Sequence, residues 1–225
     1  SPARIPVGSI HHGAVYNFWQ DETHERGLWR RTTPASYASA NPEWETLLDV
    51  DALAKAEGAN WVYKGVSCLK PEQTRCLLSL SDGGKDAVRV REYTIAEGGA
   101  KAGFVAGGFD IPEAKSSIEW QDQDTLLIAT DWGNENKDLS GDKPTLTESG
   151  YPFIVKSLKR GQNLSEATEV YRGSAKDGGY GVDPMVMRDS AGAVLATMVS
   201  RPLDTYRAEV WDITGGRPVK LNLPE

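Results

Sequence analysis

Apolar residues recur in short runs along this chain, and many of these runs alternate with polar residues. Residues 88–95 mix apolar and charged side chains at a spacing close to two, which is the period of a half-buried β-strand. Runs of similar length lie at residues 14–19, 28–33, 61–63, 76–80, 125–130, 153–158, 193–199 and 208–213. Gly and Pro separate these runs, as expected where strands are joined by turns. The pattern therefore predicts a protein built mainly of short β-strands.

One short segment is compatible with a helix. Residues 47–57 (LLDVDALAKAE) have an order of apolar and polar side chains that allows a short helical turn. Asp49 or Asp51 would cap this helix, because an aspartate carboxylate accepts hydrogen bonds from the free backbone N–H groups of a first turn. Nothing else in the sequence sustains the 3.6-residue period of a helix.

The predicted strands group into four units, at about residues 4–51, 61–109, 116–172 and 180–224. Each unit has four strands joined by hairpins, and such repeated meanders are typical of the blades of a β-propeller. A single twisted sheet cannot bury both of its faces alone, whereas sheets stacked around an axis bury them against one another. We therefore predict an all-β fold, a single β-propeller domain of about four four-stranded antiparallel blades. The alternative is a two-sheet sandwich of about fourteen strands.

Charge and hydropathy exclude two classes of partner. The formal net charge is −7, and the densest cationic positions are the pairs Arg30–Arg31 and Lys159–Arg160. Nucleic-acid binding needs many phosphate contacts, so no nucleic-acid partner is expected. No apolar stretch approaches the roughly 20 residues of a membrane-spanning helix, so no membrane partner is expected either. The sequence leaves the compartment open between cytoplasm and periplasm.

The two cysteines, Cys68 and Cys76, flank a polar segment symmetrically. A hairpin at residues 70–74 would place them opposite each other, where a disulfide forms if the geometry suits. The sequence favours two buried thiols that act as small apolar side chains, with the disulfide as the alternative. CxxC spacing is absent and the three histidines have no cysteine in a zinc-binding pattern, so no metal site is expected.

Longer strings of the sequence resemble a known family. The strings at residues 16–21 (YNFWQD), 26–33 (RGLWRRTT), 44–51 (WETLLDVD) and 57–62 (EGANWV) resemble the first blade of bacterial prolyl-oligopeptidase-family proteins. Residues 78–86, 109–115, 118–120 and 147–152 resemble segments of the blades that follow. The resemblance is strong over residues 16–171 and looser over residues 181–224. Strings of this length, rich in Trp, are far more specific than a short motif.

The resemblance implies a longer protein with two domains that have different functions. The family combines an α/β-hydrolase domain, which carries Ser, Asp and His, with a seven-bladed propeller that covers the active site. The four units of this chain correspond to a partial, open version of that propeller, and the catalytic domain is absent from these residues. The implied partners are a peptide substrate and the parent protein's catalytic domain, and no cofactor is implied. By this resemblance Arg201, in a hairpin near the end of the chain, is a candidate substrate-facing residue.

A direct search for catalytic groups agrees with that implication. A nucleophile elbow needs Gly-x-Ser-x-Gly at a strand-to-helix turn, and the nearest string, residues 65–69 (GVSCL), lacks the second glycine. Ser67 of that string falls in a predicted hairpin. His11, His12 and His24 fall before a strand or in a polar turn. No catalytic residue is therefore assigned, and the chain alone is predicted to be inactive as a peptidase.

Carboxylates are the remaining candidates for chemistry. Glu119, Asp122, Asp124 and Asp131 lie close together in the sequence, and a glycosidase uses two carboxylates at a fixed separation. Asp122 and Asp124, however, fall in a predicted turn, where aspartate is favoured because it hydrogen-bonds to the local backbone. Turn formation is the better interpretation of these residues.

Two functions remain from the sequence. The first is a propeller segment of a prolyl-oligopeptidase-like serine peptidase, which covers the active site and controls the access of short peptides. The alternative is a stand-alone β-propeller module that binds protein or carbohydrate. A propeller segment would leave blade faces exposed, and self-association through those faces is expected for it.

Overall fold

The computed structural model describes residues 8–96, 101–133 and 145–223. The chain divides into two compact units, residues 1–113 and residues 114–225, which we call unit 1 and unit 2. Regular structure in both units is mainly antiparallel β-strand, arranged as four sheets. The all-β fold class predicted from the sequence is confirmed.

Unit 1 contains two sheets whose strands are hydrogen-bonded in chain order. The first sheet consists of β1 (Ser9–His11), β2 (Ala14–Trp19), β3 (Leu28–Thr32) and β4 (Glu45–Asp49). The second consists of β5 (Trp61–Cys68), β6 (Arg75–Asp82), β7 (Val88–Thr94) and β8 (Gly103–Phe104), and β9 (Asp110–Ala114) also pairs with β7.

Unit 2 repeats the same arrangement. Its first sheet consists of β10 (Ser117–Asp122), β11 (Thr125–Ala129), β12 (Ile154–Lys159) and β13 (Thr168–Arg172). Its second consists of β14 (Asp183–Arg188), β15 (Val194–Pro202), β16 (Ala208–Asp212) and β17 (Val219–Lys220). Every pairing within these two sheets is antiparallel and joins strands that are consecutive in the chain.

Two helices lie in the described residues of unit 1, α1 (Pro34–Tyr37) and α2 (Val50–Glu57). Asp49 caps α2 by accepting a hydrogen bond from the backbone N–H of Ala52, and Gly58 ends the helix in the left-handed conformation. Asp51, the other predicted cap, instead accepts bonds from the backbone N–H groups of Arg26 and Gly27. No helix in the described ranges is long and apolar enough to cross a membrane.

A buried carboxylate shapes the chain between β8 and β9. Glu92 on β7 has a fully buried side chain, which pairs with Arg75 at 3.0 Å and accepts the backbone N–H of Phe109 at 3.0 Å. The Glu92 backbone also exchanges hydrogen bonds with Val105 and Phe109. The chain therefore turns at residues 105–108 to meet Glu92 twice, and only β8 and β9 on either side remain as strands.

The core of unit 1 is formed where its two sheets and α2 bury large apolar side chains. Its fully or nearly fully buried members are Trp29, Leu47, Leu48, Val50, Ala54, Trp61, Cys76, Leu78, Leu80, Tyr93 and Ile95. Full burial of a leucine-sized side chain contributes about 1.5–3 kcal/mol, so this cluster is a main source of the unit's stability. Tyr93 satisfies its hydroxyl by donating to the carbonyl of Leu47.

Unit 2 has an equivalent core between its two sheets. The buried members are Leu127, Ala129, Val155, Tyr171, Val182, Val199 and Ile213. Arg188 on β14 also joins the two sheets, because its guanidinium donates to the backbone carbonyls of Trp120 and Gln121 at 2.6 and 2.9 Å. The first strands of the two sheets are thereby held together by polar contacts beside the apolar core.

The structure joins Cys68 and Cys76 in a disulfide. Cys68 is the last residue of β5 and Cys76 is the second residue of β6, and the register places them directly opposite each other. Cys76 is fully buried in the unit 1 core, and Cys68 packs against that core. The two free thiols that the sequence favours are therefore not what the structure contains, because the hairpin brings both cysteines to the same paired position.

A variant without the two cysteines tests whether the disulfide is present and stabilises the fold. We expect Cys68→Ala/Cys76→Ala to lower the free energy of unfolding by about 2–3 kcal/mol, because the unfolded chain regains the entropy of an open loop. Urea denaturation of the oxidised protein, the reduced protein and the double variant measures the difference. Thiol titration of the denatured, unreduced protein should find no free thiol, and two titratable thiols would contradict the assignment.

Candidate functional site

Arg201, the residue that the sequence singles out, lies near the end of β15 at the centre of an ion network. Its guanidinium donates two hydrogen bonds to Asp177, from Nε to Oδ2 at 3.0 Å and from Nη2 to Oδ1 at 2.6 Å. Nη1 donates to Oε1 of Glu209 at 3.2 Å, and Lys220 pairs with the other oxygen of Glu209 at 3.1 Å. Two cations pair with two carboxylates, and because Arg201, Asp177 and Glu209 are mostly buried, this arrangement fixes the orientation of the guanidinium.

The β-sheet register positions three of these residues. Arg201 is directly opposite Glu209 on β16, and Trp211, two residues further along, is opposite Lys220 on β17. Residues two apart on a strand share a face, so the three charged side chains lie on the face that carries Trp211. Trp211 in turn packs against Tyr171, whose ring centroid is 5.7 Å away. The network therefore borders the unit 2 core.

Asp177 extends the network into the loop at residues 173–181. Besides Arg201, its carboxylate accepts the backbone N–H of Ser174 at 2.9 Å, and its own backbone N–H donates to the Ser174 carbonyl. A Cβ at Gly181 would lie 2.9 Å from the carbonyl oxygen of Pro152, and this glycine has a φ of +65°. Only glycine suits such a close approach in that conformation, so the loop is tightly held at both ends.

The surroundings of Arg201 and of the neighbouring Tyr171 shift the pKa of each group. The pKa of Arg201 is raised above its ordinary value, first by its hydrogen bonds to Asp177. Burial raises the pKa of Tyr171 to about 12. Around neutral pH Arg201 is therefore a cation and Tyr171 a neutral phenol, and neither group is poised to transfer a proton. The network can orient groups and balance charge.

Two exposed tyrosines lie beside the network. Tyr180 belongs to the 173–181 loop, and its hydroxyl is 3.4 Å from the hydroxyl of Thr205 in the hairpin that joins β15 to β16. Tyr206 is the next residue of that hairpin and is 95% exposed. The loop and the hairpin therefore meet at one end of unit 2, and both present aromatic side chains there.

Sequence reasoning found Arg201 but not its partners. Glu209 had a signal, because a hairpin centred on residues 204–206 places it opposite Arg201. Asp177 had no such signal in the sequence, since its contact with Arg201 depends on the path of a Gly-rich loop. The exposure of Tyr180 and Tyr206 also depends on that path, and the sequence alone does not separate them from tyrosines of the core.

The other candidates from the sequence have structural roles. Ser67 lies within β5 opposite Leu77, in a hairpin and not at a strand-to-helix turn. Nδ1 of His24 contacts Oδ1 of Asp21 at 3.0 Å. The pKa of Asp21 is lowered, first by the hydrogen bond from the Trp19 indole. These contacts close a local turn.

The acidic residues near Glu119 also act locally. Asp122 accepts the backbone N–H of Asp124, which itself pairs with Arg160 at 2.8 Å. Asp131 accepts the backbone N–H of Gly133 and the hydroxyl of Thr145. The contacts of Asp122 and Asp124 agree with the turn-forming interpretation, and Asp131 likewise bonds to the nearby chain. No group of three His, Cys, Asp or Glu side chains in the described ranges is placed to hold a metal ion.

Comparison with known proteins decides what this assembly of sheets is. The model of the prolyl oligopeptidase N-terminal β-propeller domain matches residues 3–220. The chain belongs to this family. The four antiparallel sheets are therefore propeller blades, as the sequence predicts, and the two-sheet sandwich is excluded.

Two proteins that are similar in sequence to this chain are named as peptidases, and both are much longer than it. The chain is 45% identical over 216 residues to the uncharacterized peptidase y4nA of Sinorhizobium fredii, covering 94% of this chain and 28% of that protein. It is 35% identical over 172 residues to the uncharacterized peptidase RP174 of Rickettsia prowazekii, covering 73% of this chain and 22% of that protein. The chain thus spans less than a third of the length of either peptidase.

Solved structures show the same fold. A post-proline cleaving enzyme from Rickettsia typhi is similar with a TM-score of 0.81 and 29% identity, over 98% of this chain and 32% of that enzyme. Oligopeptidase B from Leishmania major is similar with a TM-score of 0.64 and 12% identity, over 99% of this chain and 28% of that enzyme. The second similarity concerns the propeller fold alone.

Substitution of Arg201 tests the energetic role of the network. We expect Arg201→Met to lower the free energy of unfolding by about 2 kcal/mol, because the mostly buried Asp177 loses its cation and Glu209 keeps only the half-exposed Lys220. Arg207→Met in the same hairpin is the matched control. Arg207 and Asp204 form an exposed pair, and its loss should cost less than about 0.5 kcal/mol. Equal midpoints for both variants in urea denaturation would contradict the role assigned to Arg201.

Glu119 on β10 provides a test based on pH. Burial raises the pKa of its carboxyl, Arg188 partly offsets the increase and Asp183 adds to it. The folded state therefore holds this proton more tightly than the unfolded state, and the stability falls as pH rises from the unfolded pKa through the folded pKa.

We expect Glu119→Gln to stabilise the protein at pH 7 and to have a smaller effect at pH 4, where the native carboxyl is largely protonated in both states. Thermal unfolding at the two pH values measures this difference. Asp122→Asn, in an exposed turn, is the control for a general change in charge. A Glu119→Gln variant that is less stable than the native protein at pH 7 would show that its carboxylate is stabilised by a partner.

Proposed function

We propose that this chain is part of the propeller of a prolyl-oligopeptidase-like serine peptidase, where it covers the active site and limits access to short peptides. The observation that carries the proposal is its 45% identity, over nearly the whole chain, to a peptidase about three and a half times longer. By parent protein we mean such a longer peptidase, in which this chain is joined to a catalytic domain. In it the propeller contributes access control, and the catalytic domain contributes hydrolysis.

The outward face of the last sheet supports a place within a larger propeller. Met185 and Met187 on β14 share a face with Met198 on β15, according to the strand register. Val219 on β17 is opposite Asp212, which pairs with Met198, so it belongs to the same face. Met187 and Val219 are at least half exposed. A further blade of the parent protein would cover this apolar face, and self-association through it is expected when it is uncovered.

We further propose that the parent protein cleaves after proline and that Arg201 acts at the substrate-facing side of the propeller. Similarity to the post-proline cleaving enzyme of Rickettsia typhi, at 29% identity, supports the first point. For the second, Asp177 and Glu209 occupy three of the five N–H donors of Arg201. Arg201 would therefore act mainly by holding the loop at residues 173–181.

Cleavage assays on the parent protein test the proposed function. We expect hydrolysis of a short reporter peptide with an internal proline, and little hydrolysis of an unfolded protein that contains the same sequence, because the propeller restricts access. A parent protein with its nucleophilic serine replaced by alanine is the control for contaminating peptidases. This 225-residue chain alone should neither cleave the peptide nor react with a serine-directed fluorophosphonate probe.

Two results would contradict the proposal. Equal cleavage rates for the short peptide and the unfolded protein would rule out access control. Labelling of this chain by the probe would show a nucleophile within these residues. Cleavage after residues other than proline would overturn only the proposed preference for proline.

A further inference from the structure

Tyr206 is the most exposed large hydrophobic residue in the described ranges. It does not lie on a loose loop, because Asp204 accepts the backbone N–H groups of Tyr206 and Arg207 at 2.9 and 2.8 Å. The backbone N–H of Leu203 also donates to the Arg207 carbonyl, which closes the hairpin. An aromatic ring is thus presented to solvent on an ordered turn.

Tyr180 is presented in a similar way on the neighbouring loop. It is 56% exposed, and its loop is held by the Asp177–Arg201 ion pair. The contact between the Tyr180 and Thr205 hydroxyls joins this loop to the hairpin of Tyr206. Leu203, which is 47% exposed, adds an aliphatic side chain to the hairpin. We call Tyr180, Leu203 and Tyr206 the tyrosine site.

The chemistry of the tyrosine site suits an extended peptide. A tyrosine offers a large apolar ring and one hydroxyl, and it loses little conformational entropy on binding because only two side-chain torsions are fixed. Proline-containing segments bind well to aromatic surfaces, since their backbone is already extended and their ring is apolar. Ordered loops reduce the cost of binding further, because the surface needs little rearrangement.

The size of the tyrosine site favours a peptide over a folded protein domain as its ligand. A stable protein–protein interface buries about 800 Å² on each partner and uses roughly 20–30 residues a side. Three exposed side chains on two adjoining turns provide much less surface than that. They match a few residues of an extended chain.

We infer that the tyrosine site binds an extended, proline-containing segment of the peptide substrate, away from the bond that is cleaved. This inference rests on the proposed function, because it assumes that unit 2 faces peptides entering a peptidase. It assigns Tyr206 and Tyr180 as specificity-determining residues for longer substrates. The cleaved bond itself is handled by the catalytic domain.

The test compares two reporter peptides with the parent protein and its variants. One reporter has proline-containing residues on both sides of the cleaved bond, and the other is a minimal acyl-dipeptide amide. For Tyr206→Ala we expect KM for the long reporter to rise by roughly three- to tenfold, with kcat unchanged, which is the effect of losing one aromatic contact. KM for the minimal reporter should not change. Tyr206→Phe, which keeps the ring, should retain most of the affinity.

Tyr180→Ala should produce the same pattern with a smaller change in KM, because Tyr180 is less exposed. Tyr37→Ala is the matched control, since Tyr37 is a half-exposed tyrosine in unit 1. Thermal unfolding of each variant shows whether the fold is intact. A long-reporter KM that is the same in Tyr206→Ala, Tyr180→Ala and Tyr37→Ala would overturn the inference while leaving the proposed function in place.

Two other outcomes also overturn the inference. If Tyr206→Ala lowers kcat equally for both reporters and lowers the unfolding temperature of the parent protein, the tyrosine site contacts the catalytic domain and not the substrate. If the parent protein cleaves neither reporter, the proposed function fails and the inference fails with it.

Discussion

A four-stranded antiparallel sheet with apolar side chains on both faces is stable only when both faces are covered. This constraint governs each unit of the structure. In unit 1 the two sheets and α2 cover one another over a cluster that includes Trp29, Trp61 and Leu78. In unit 2 the corresponding cluster includes Leu127, Val155 and Val199. Blades therefore depend on their neighbours, and the stability of one sheet cannot be separated from that of the next.

The same constraint places the polar groups. Buried charges occur where they hold chain segments that the sheets alone do not fix. Glu92 ties the 105–109 turn to β7, and Asp177 ties the 173–181 loop to Arg201 on β15. Each of these carboxylates is paired with an arginine and also accepts a backbone N–H, so its desolvation is offset by contacts that only the folded chain provides. The ordered loops of the propeller are a consequence of these pairs.

Much of the fold was predictable because strand periodicity is a local property. The alternation at residues 88–95 and the hairpins of unit 2 are visible without any knowledge of tertiary contacts. The cap of α2 was open between Asp49 and Asp51, because both are aspartates near the helix start and only the path of residues 26–27 decides between them. The turn at residues 105–108 was not predicted, since it depends on Glu92, which the sequence pattern places at a polar strand position.

The candidate site was less predictable, because most of its contacts join residues that are distant in the sequence. Arg201 was found through the family resemblance, whereas its partner Asp177 lies 24 residues earlier in a loop whose course no local pattern determines. The state of Cys68 and Cys76 depended on strand register, and a shift of one residue would have separated the two side chains to opposite faces. Side chains that meet across a known hairpin are open to prediction, and those that meet across a loop are not.

At the end of unit 2, the residues that stabilise the loop are different from the tyrosines that are exposed to solvent. Arg201, Asp177 and Glu209 lie at the edge of the core and stabilise the loop, while Tyr180 and Tyr206 lie outside it. Changes to the ion network therefore alter stability and the position of Tyr180 together. A change to the Tyr206 ring alters only the surface, because its backbone is held by Asp204 whatever its side chain. A propeller built in this way can vary its exposed rings without loss of its fold, because neither tyrosine belongs to the buried core of unit 2.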